Sequence, residues 1–166
     1  MAWSQLWLDY KPLLKKENSR YLSKIYCNEK TPMLENAIEE LKLFSKKAFE
    51  IQPSIVHESE IAETGIVLRK VAGDETESYT LCEKDGKITV KSAGDSGILY
   101  GVFDIIRRMM QEENLKGLYV KETPDCRYRM LDHWDNIDGT IERGYSGNSF
   151  FFDHDEILID QRTQDY

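Results

Sequence analysis

Residues 131–147 read Leu-Asp-His-Trp-Asp-Asn-Ile-Asp-Gly-Thr-Ile-Glu-Arg-Gly-Tyr-Ser-Gly. These seventeen residues hold one indole (Trp134), four carboxylates (Asp132, Asp135, Asp138 and Glu142), one amide (Asn136), one imidazole (His133) and one guanidinium (Arg143). Carboxylates and amides hydrogen-bond sugar hydroxyls, and Arg clamps a carboxylate with paired N–H donors. A flat aromatic ring offers apolar surface with a polar edge, which suits a sugar ring. The composition is that of a carbohydrate site. Its candidate contacts are Trp134, Asp135, Asn136, Glu142, Arg143 and Tyr145.

Each candidate also has a plainer reading. Trp134 could stack on a sugar, or it could pack in an interface with its N–H bonded internally. Asp135, Asn136 and Asp138 could bind hydroxyls, or they could stabilise turns by bonding their own backbone; for Asp138-Gly139 turn chemistry is the stronger reading. Glu142 and Arg143 could reach a substrate or pair with each other to pin the loop. Tyr145 could anchor that loop, and His133 reads as a structural histidine at a strand end.

The elements that must position these residues are legible upstream. Tyr21–Cys27 alternates weakly as a first strand. Thr31-Pro32 is an N-cap followed by Pro at the first helical position. Leu34, Ala37, Ile38, Leu41, Phe44 and Ala48 then recur at three- and four-residue spacing, which predicts a helix over 32–49. A short strand at 54–58 follows Pro53. Residues 65–70, 77–84 and 87–91 have the period of two of strands, and Asp85-Gly86 is a hairpin turn between the last two. Asp95 or Ser96 caps a second helix running to about residue 113, with Ile98, Leu99, Val102, Phe103, Ile106, Met109 and Met110 as its stripe. Gly94, Gly97 and Gly101 crowd its first turns and point to close backbone packing, since Gly inside a helix costs about 1 kcal/mol against Ala. Residues 118–120 supply a final strand before Pro124.

The expected architecture is α+β: a mostly antiparallel sheet with two helices on one face, complete by residue 123. Residues 124–166 do not close on themselves. They read as one strand over 127–134, a Gly- and Asp-rich loop over 135–149 and the start of a helix from Asp153. A lone strand, a loop and a partial helix bury no core, so the chain reads as a piece of something larger.

The totals narrow the partners. The 166 residues carry 30 acidic and 22 basic side chains, a net charge of −8. That balance disfavours nucleic acid and anionic membrane, which reward basic patches. Cys27, Cys82 and Cys126 are widely spaced and form no C-x-x-C pair, so neither a zinc site nor a disulfide framework is indicated. The N-terminus lacks a signal-peptide pattern. A cytoplasmic protein without metal or cofactor is the expectation.

Leu131–Gly147, with His-Trp-Asp-Asn at 133–136 and Ile-Glu-Arg-Gly-Tyr at 141–145, resembles the α-glucuronidases of glycoside hydrolase family 67. Ser92–Arg107, containing Gly97-Ile98-Leu99-Tyr100-Gly101, is similar to the second helix of that family's N-terminal domain, which itself looks like the non-catalytic domain of β-hexosaminidases. The resemblance implies an N-terminal α+β domain over 1–123. Residues 124–166 would then be the first strand, loop and start of the first helix of a (β/α)₈ barrel, whose active sites lie on the loops after the strands. The activity implied is hydrolysis of the α-1,2 link between 4-O-methylglucuronic acid and xylose in xylan oligosaccharides, with inversion. Inverting chemistry needs two carboxyl groups roughly 6.5–9.5 Å apart, and in the family these come from later barrel strands. No residue of this chain is therefore assigned a catalytic role, and the chain alone is expected to be inactive. The competing expectation is a standalone accessory module that binds sugar or protein, with 124–166 as a flexible tail. A strand at 127–134 with an open edge could also pair two copies into a homodimer.

Overall fold

A computed structural model describes residues 10–57, 64–130 and 132–159. They fall into two compact units, one spanning Tyr10–Asp125 and the other comprising the described residues from Cys126 onward.

The first unit opens with a 3-10 helix, Glu17–Leu22, that seats Tyr21 and Leu22 in the core. Strand β1 (Lys24–Cys27) follows, and helix α1 (Pro32–Phe49) is capped as its sequence requires, Thr31 Oγ1 accepting from the Leu34 N–H at 3.3 Å. The helix ends where Glu50 turns left-handed at φ 60°. Strands β2 (Ser54–Val56), β3 (Gly65–Lys70), β4 (Tyr79–Lys84) and β5 (Lys87–Ser92) lead to α2 (Asp95–Met110) and to β6 (Tyr119–Glu122).

The six strands form one sheet in the order β2-β1-β3-β5-β4-β6. The sheet is mixed rather than mostly antiparallel as expected. Pairs β1–β2, β1–β3 and β3–β5 are parallel, and only β4–β5 and β4–β6 are antiparallel. The physical reason lies in the connections. Asp85 and Gly86 both have positive φ, 51° and 77°, which closes the two-residue hairpin that fixes β4 against β5. No such turn joins β3 to β4, so β5 inserts between them and runs parallel to β3. Helix α1 is a crossover of the kind parallel strands need.

Both helices share one core with one face of the sheet. Leu34, Ala37, Leu41, Phe44 and Ala48 of α1 meet Ile98, Val102, Ile105, Ile106 and Met109 of α2 over Ile25, Ile66, Leu68, Leu81, Ile88 and Val90. Most of the expected stripe residues are buried, but Ile38, Leu99 and Phe103 are only half-buried, Met110 is exposed, and Ile105, outside the expected stripe, is buried. Helix α2 starts at Gly94 rather than on an Asp95 or Ser96 side-chain cap. A Cβ at Gly94 would meet Thr76 O at 2.4 Å, and one at Gly101 would meet Val90 Cγ1 at 2.5 Å, so the helix lies closer to the sheet than side chains permit. Buried Asp104 is held by Arg107 and by Arg108, whose Nε lies 3.2 Å away. Burial, then the Asp104 carboxylate, push the Tyr79 hydroxyl up to about 12.

In the second unit the expected strand over 127–134 does not form among the described residues. A strand needs a partner for its N–H and C=O groups, and here backbone pairing begins only at the Asp135–Ile141 bridge. The expected helix from Asp153 is also replaced. Phe152–Asp153 (β7) and Glu156–Ile157 (β8) make a small antiparallel hairpin, with His154 and Asp155 left-handed at φ 48° and 66°. Two consecutive positive φ values fit a tight hairpin turn and exclude a helix start. Residues 160–166, where the rest of that helix was expected, lie outside the described residues.

Candidate functional site

Loop 134–152 is organised by short-range hydrogen bonds. The Glu142 N–H donates to Trp134 O at 2.7 Å, the Asn136 N–H to Thr140 O at 2.8 Å, and the Ser149 N–H to Gly139 O at 2.8 Å. A second bridge pairs Thr140 with Asn148. Asp138 accepts from both the backbone and the hydroxyl of Thr140, at 2.9 and 2.7 Å, and these bonds hold its carboxyl below the usual carboxylate range. Asp138 is a turn residue, as its Gly139 neighbour suggested.

Ser149 holds the loop from beneath. It is 2% exposed, its hydroxyl donates to Asp135, and its Oγ accepts from the N–H groups of Phe151 and Phe152 at 2.9 and 3.0 Å. Sequence reasoning passed over this residue. Its signal was a small polar side chain directly before three aromatics, which alone does not separate a buried anchor from an exposed loop serine.

Trp134, Asp135, Asn136, Glu142, Arg143 and Tyr145, the six residues chosen from the sequence, line a single open concavity of about 460 Å³. Trp134 is 64% exposed, and its indole N–H donates to Asp132 at 3.0 Å, so it lines the concavity rather than packing in a core. The alternative ion pair between Glu142 and Arg143 is not formed among the described residues. Glu142 instead accepts from the Ser146 hydroxyl at 3.2 Å and from the Tyr145 hydroxyl, and the second of these bonds raises the Tyr145 pKa. Arg143 makes no ion pair with any described residue, which leaves its five donors for an anion entering the concavity. Tyr145 is both anchor and lining, bonded to Glu142 yet 75% exposed.

Asn136 behaves differently from its neighbours. Its side-chain amide donates to Thr140 Oγ1 at 2.8 Å and to Glu142 O at 2.5 Å, using both N–H bonds inside the loop. Only its carbonyl oxygen remains for a ligand. Glu142 sits left-handed at φ 53°, a conformation costly for a residue with a side chain. It is held there by the Trp134 carbonyl on one side and the Asn136 amide on the other. His133 packs edge-on against Phe151, 4.9 Å between ring centroids, as a structural histidine would.

The chemistry available is recognition. One aromatic face, two hydrogen-bonded carboxylates and one uncommitted guanidinium can hold a polar ring that bears an acid. Among the described residues no group of three or more His, Cys, Asp or Glu side chains could hold a metal ion, and no helix is long and apolar enough to cross a membrane.

Comparison with known proteins shows the family. The model of the glycosyl hydrolase family 67 N-terminus matches residues 6–105, and that of the family 67 middle domain matches residues 108–166. Among curated relatives, the probable alpha-glucuronidase A of Aspergillus clavatus is 33% identical over 78 residues, 47% of this chain and 9% of its own length. The counterpart in Aspergillus fumigatus is 30% identical over 99 residues, 59% of this chain and 12% of its own. The alpha-glucuronidase A of Aspergillus tubingensis is 35% identical over 74 residues, 43% of this chain and 9% of its own. The chain thus spans about a tenth of the length of these relatives. Among solved structures, a GH138 enzyme targeting pectin rhamnogalacturonan II superposes with a TM-score of 0.52 at 19% identity, over 61% of this chain and 15% of that one. That likeness concerns the fold alone. The two family models together account for nearly all of the sequence, and the chain belongs to glycosyl hydrolase family 67.

Proposed function

We propose that this chain is the N-terminal portion of an α-glucuronidase that hydrolyses the α-1,2 link between 4-O-methylglucuronic acid and xylose in xylan oligosaccharides, with inversion. Residues 1–123 form the non-catalytic domain, and residues 124–166 contribute the first segment of the catalytic domain. The observation that carries the reading is the shared concavity of Trp134, Asp135, Asn136, Glu142, Arg143 and Tyr145. Trp134 offers the sugar its ring face, Asp135 and Glu142 accept from hydroxyls, and Arg143 takes the uronate carboxylate. Asn136 acts chiefly by holding Glu142. Neither Asp135 nor Glu142 is assigned as acid or base. Both are engaged inside the loop, Asp135 accepting from the Ser149 hydroxyl and Glu142 from the Ser146 hydroxyl. The 166-residue chain alone is accordingly inactive.

The test compares release of 4-O-methylglucuronic acid from aldouronic acids by this chain and by the product of the gene's full open reading frame. Release by the longer product alone is expected. In that longer product Trp134→Ala should lower kcat/KM by about tenfold or more, the scale of one aromatic contact and its buried area. Turnover by the 166-residue chain would mean that Asp135 or Glu142 performs chemistry. Inactivity of both products would favour an accessory binding module.

A further inference from the structure

Two concavities meet at one side chain in the unit that begins at Cys126. The first holds Trp134 together with Arg143 and Tyr145. A second, of about 340 Å³, is lined by Asp132, His133, Trp134, Ile141, Ser146 and Phe150. Trp134, Asp135 and Glu142 border both. The pose of the indole therefore sets the room in each. That pose has one directional support, the bond from the indole N–H to Asp132 Oδ2 at 3.0 Å. Among the described residues no aromatic ring stacks on Trp134.

The need to satisfy a buried donor does not explain this bond. Both residues are exposed, and water could serve the indole N–H in its place. Nor does the backbone need it, because the Trp134 carbonyl is already fixed by the Glu142 N–H at 2.7 Å. What the main chain leaves free is rotation about the two side-chain torsions, and an acceptor two residues upstream removes that freedom. The other two carboxylates at the second concavity are engaged elsewhere, Asp135 by the Ser149 hydroxyl and Glu142 by the Ser146 hydroxyl. Asp132 makes no other hydrogen bond or ion pair with a described residue, so its carboxylate serves the ring alone. A contact residue held in one rotamer before the ligand arrives does not lose that freedom on binding.

We propose that Asp132 is a positioning residue, whose carboxylate holds the indole of Trp134 in the orientation that receives the sugar ring. The proposal rests on the functional reading above for the sugar, and on the hydrogen bond for the hold on the ring. Asp132 itself need not touch the ligand. Misplacing a contact group by about 1 Å can cost as much as a hundredfold in rate, so the hold matters beyond the strength of one exposed bond.

The test has two arms. In the 166-residue chain the indole N–H resonance of Trp134, identified by its loss in Trp134→Phe, reports the bond without any ligand. Asp132→Ala should speed exchange of that proton with solvent by about threefold or more. Asp132→Asn keeps a carbonyl acceptor and should change it by less than about twofold. In the longer gene product, Asp132→Ala should lower kcat/KM on aldouronic acids by about fivefold, through KM, because the ring is contacted in ground and transition states alike. Asp132→Asn should restore most of that loss. Trp134→Phe keeps a ring but no donor, so adding Asp132→Ala to it should cost less than about 1.5-fold more. Unchanged indole exchange in Asp132→Ala, unchanged kcat/KM in an active longer product, or the same fivefold loss in the Trp134→Phe background would overturn the proposal. A longer product that releases no uronic acid would sink the functional reading instead, and the indole resonance would still decide whether Asp132 holds the ring.

Discussion

Removing the Ser149 hydroxyl should open the loop that carries the candidate site. Ser149→Ala deletes one hydrogen bond to the Asp135 carboxylate and two from the backbone N–H groups of Phe151 and Phe152. A bond to a charged group contributes about 1.5–3 kcal/mol and a neutral one about 0.5–1.5 kcal/mol. Phe151 and Phe152 are half-exposed, so water recovers part of the neutral contribution. The net loss is about 2–4 kcal/mol of resistance to local opening, which corresponds to amide exchange faster by roughly thirtyfold to several hundredfold. Hydrogen exchange read by NMR at the amides of Phe151, Phe152 and Ser149 measures this directly. The β5 amides of Ile88 and Val90 lie in the other unit and act as internal reference. The effect should also reach Glu142, whose position depends on the same loop, and so lower the Tyr145 titration toward that of an ordinary tyrosine. Exchange at Phe151 and Phe152 changed by less than about threefold, a difference near 0.6 kcal/mol, would show that Ser149 does not hold the loop. Asp135 and Glu142 would then be positioned by other contacts of the loop.

Two further expectations concern the first unit. In Gly97→Ala the new Cβ would meet Ser92 Oγ at 2.1 Å and Ser78 O at 2.4 Å, so α2 must lift from the sheet. Overpacking of this kind costs about 1–3 kcal/mol, and a thermal scan should show a midpoint lowered by at least about 4 °C, while an unchanged midpoint would mean that the close approach is not needed. Glu83 accepts from the Gly117 N–H at 2.6 Å and from the Gly86 N–H at 3.2 Å, and the first bond chiefly holds its pKa below the usual 4.5. A depressed folded pKa contributes stability that is present above the unfolded value and lost as pH falls through the folded one. Urea midpoints should therefore drop between about pH 6 and about pH 3, and drop less in Glu83→Gln; equal slopes in both proteins would contradict the assignment.

Most local structure was legible because it has local causes. Thr31-Pro32 announces α1 through its own cap, Asp85-Gly86 closes its own hairpin, and the apolar spacing of both helices predicts the buried stripes. The clustering of the six candidates was legible for a similar reason, since all lie within twelve residues and a loop of that length brings them together. The direction of the sheet was not legible. A period of two says that residues alternate between faces, but not which neighbour a strand takes, and β5 could insert between β3 and β4 without altering either pattern.

By itself the sequence determined both helices and most strands of the first unit, the family and the cluster around Trp134, because each follows from residues near one another in the chain. Tertiary structure decided what depends on residues far apart. It placed Lys121 in a row with Thr80 and Lys91, side chains that a net charge of −8 does not locate. It buried Ser149 beneath Asp135, turned both Asn136 donors inward and left Arg143 uncommitted. Net charge is a sum and periodicity a local average; neither specifies which side chains meet, and recognition depends on that meeting.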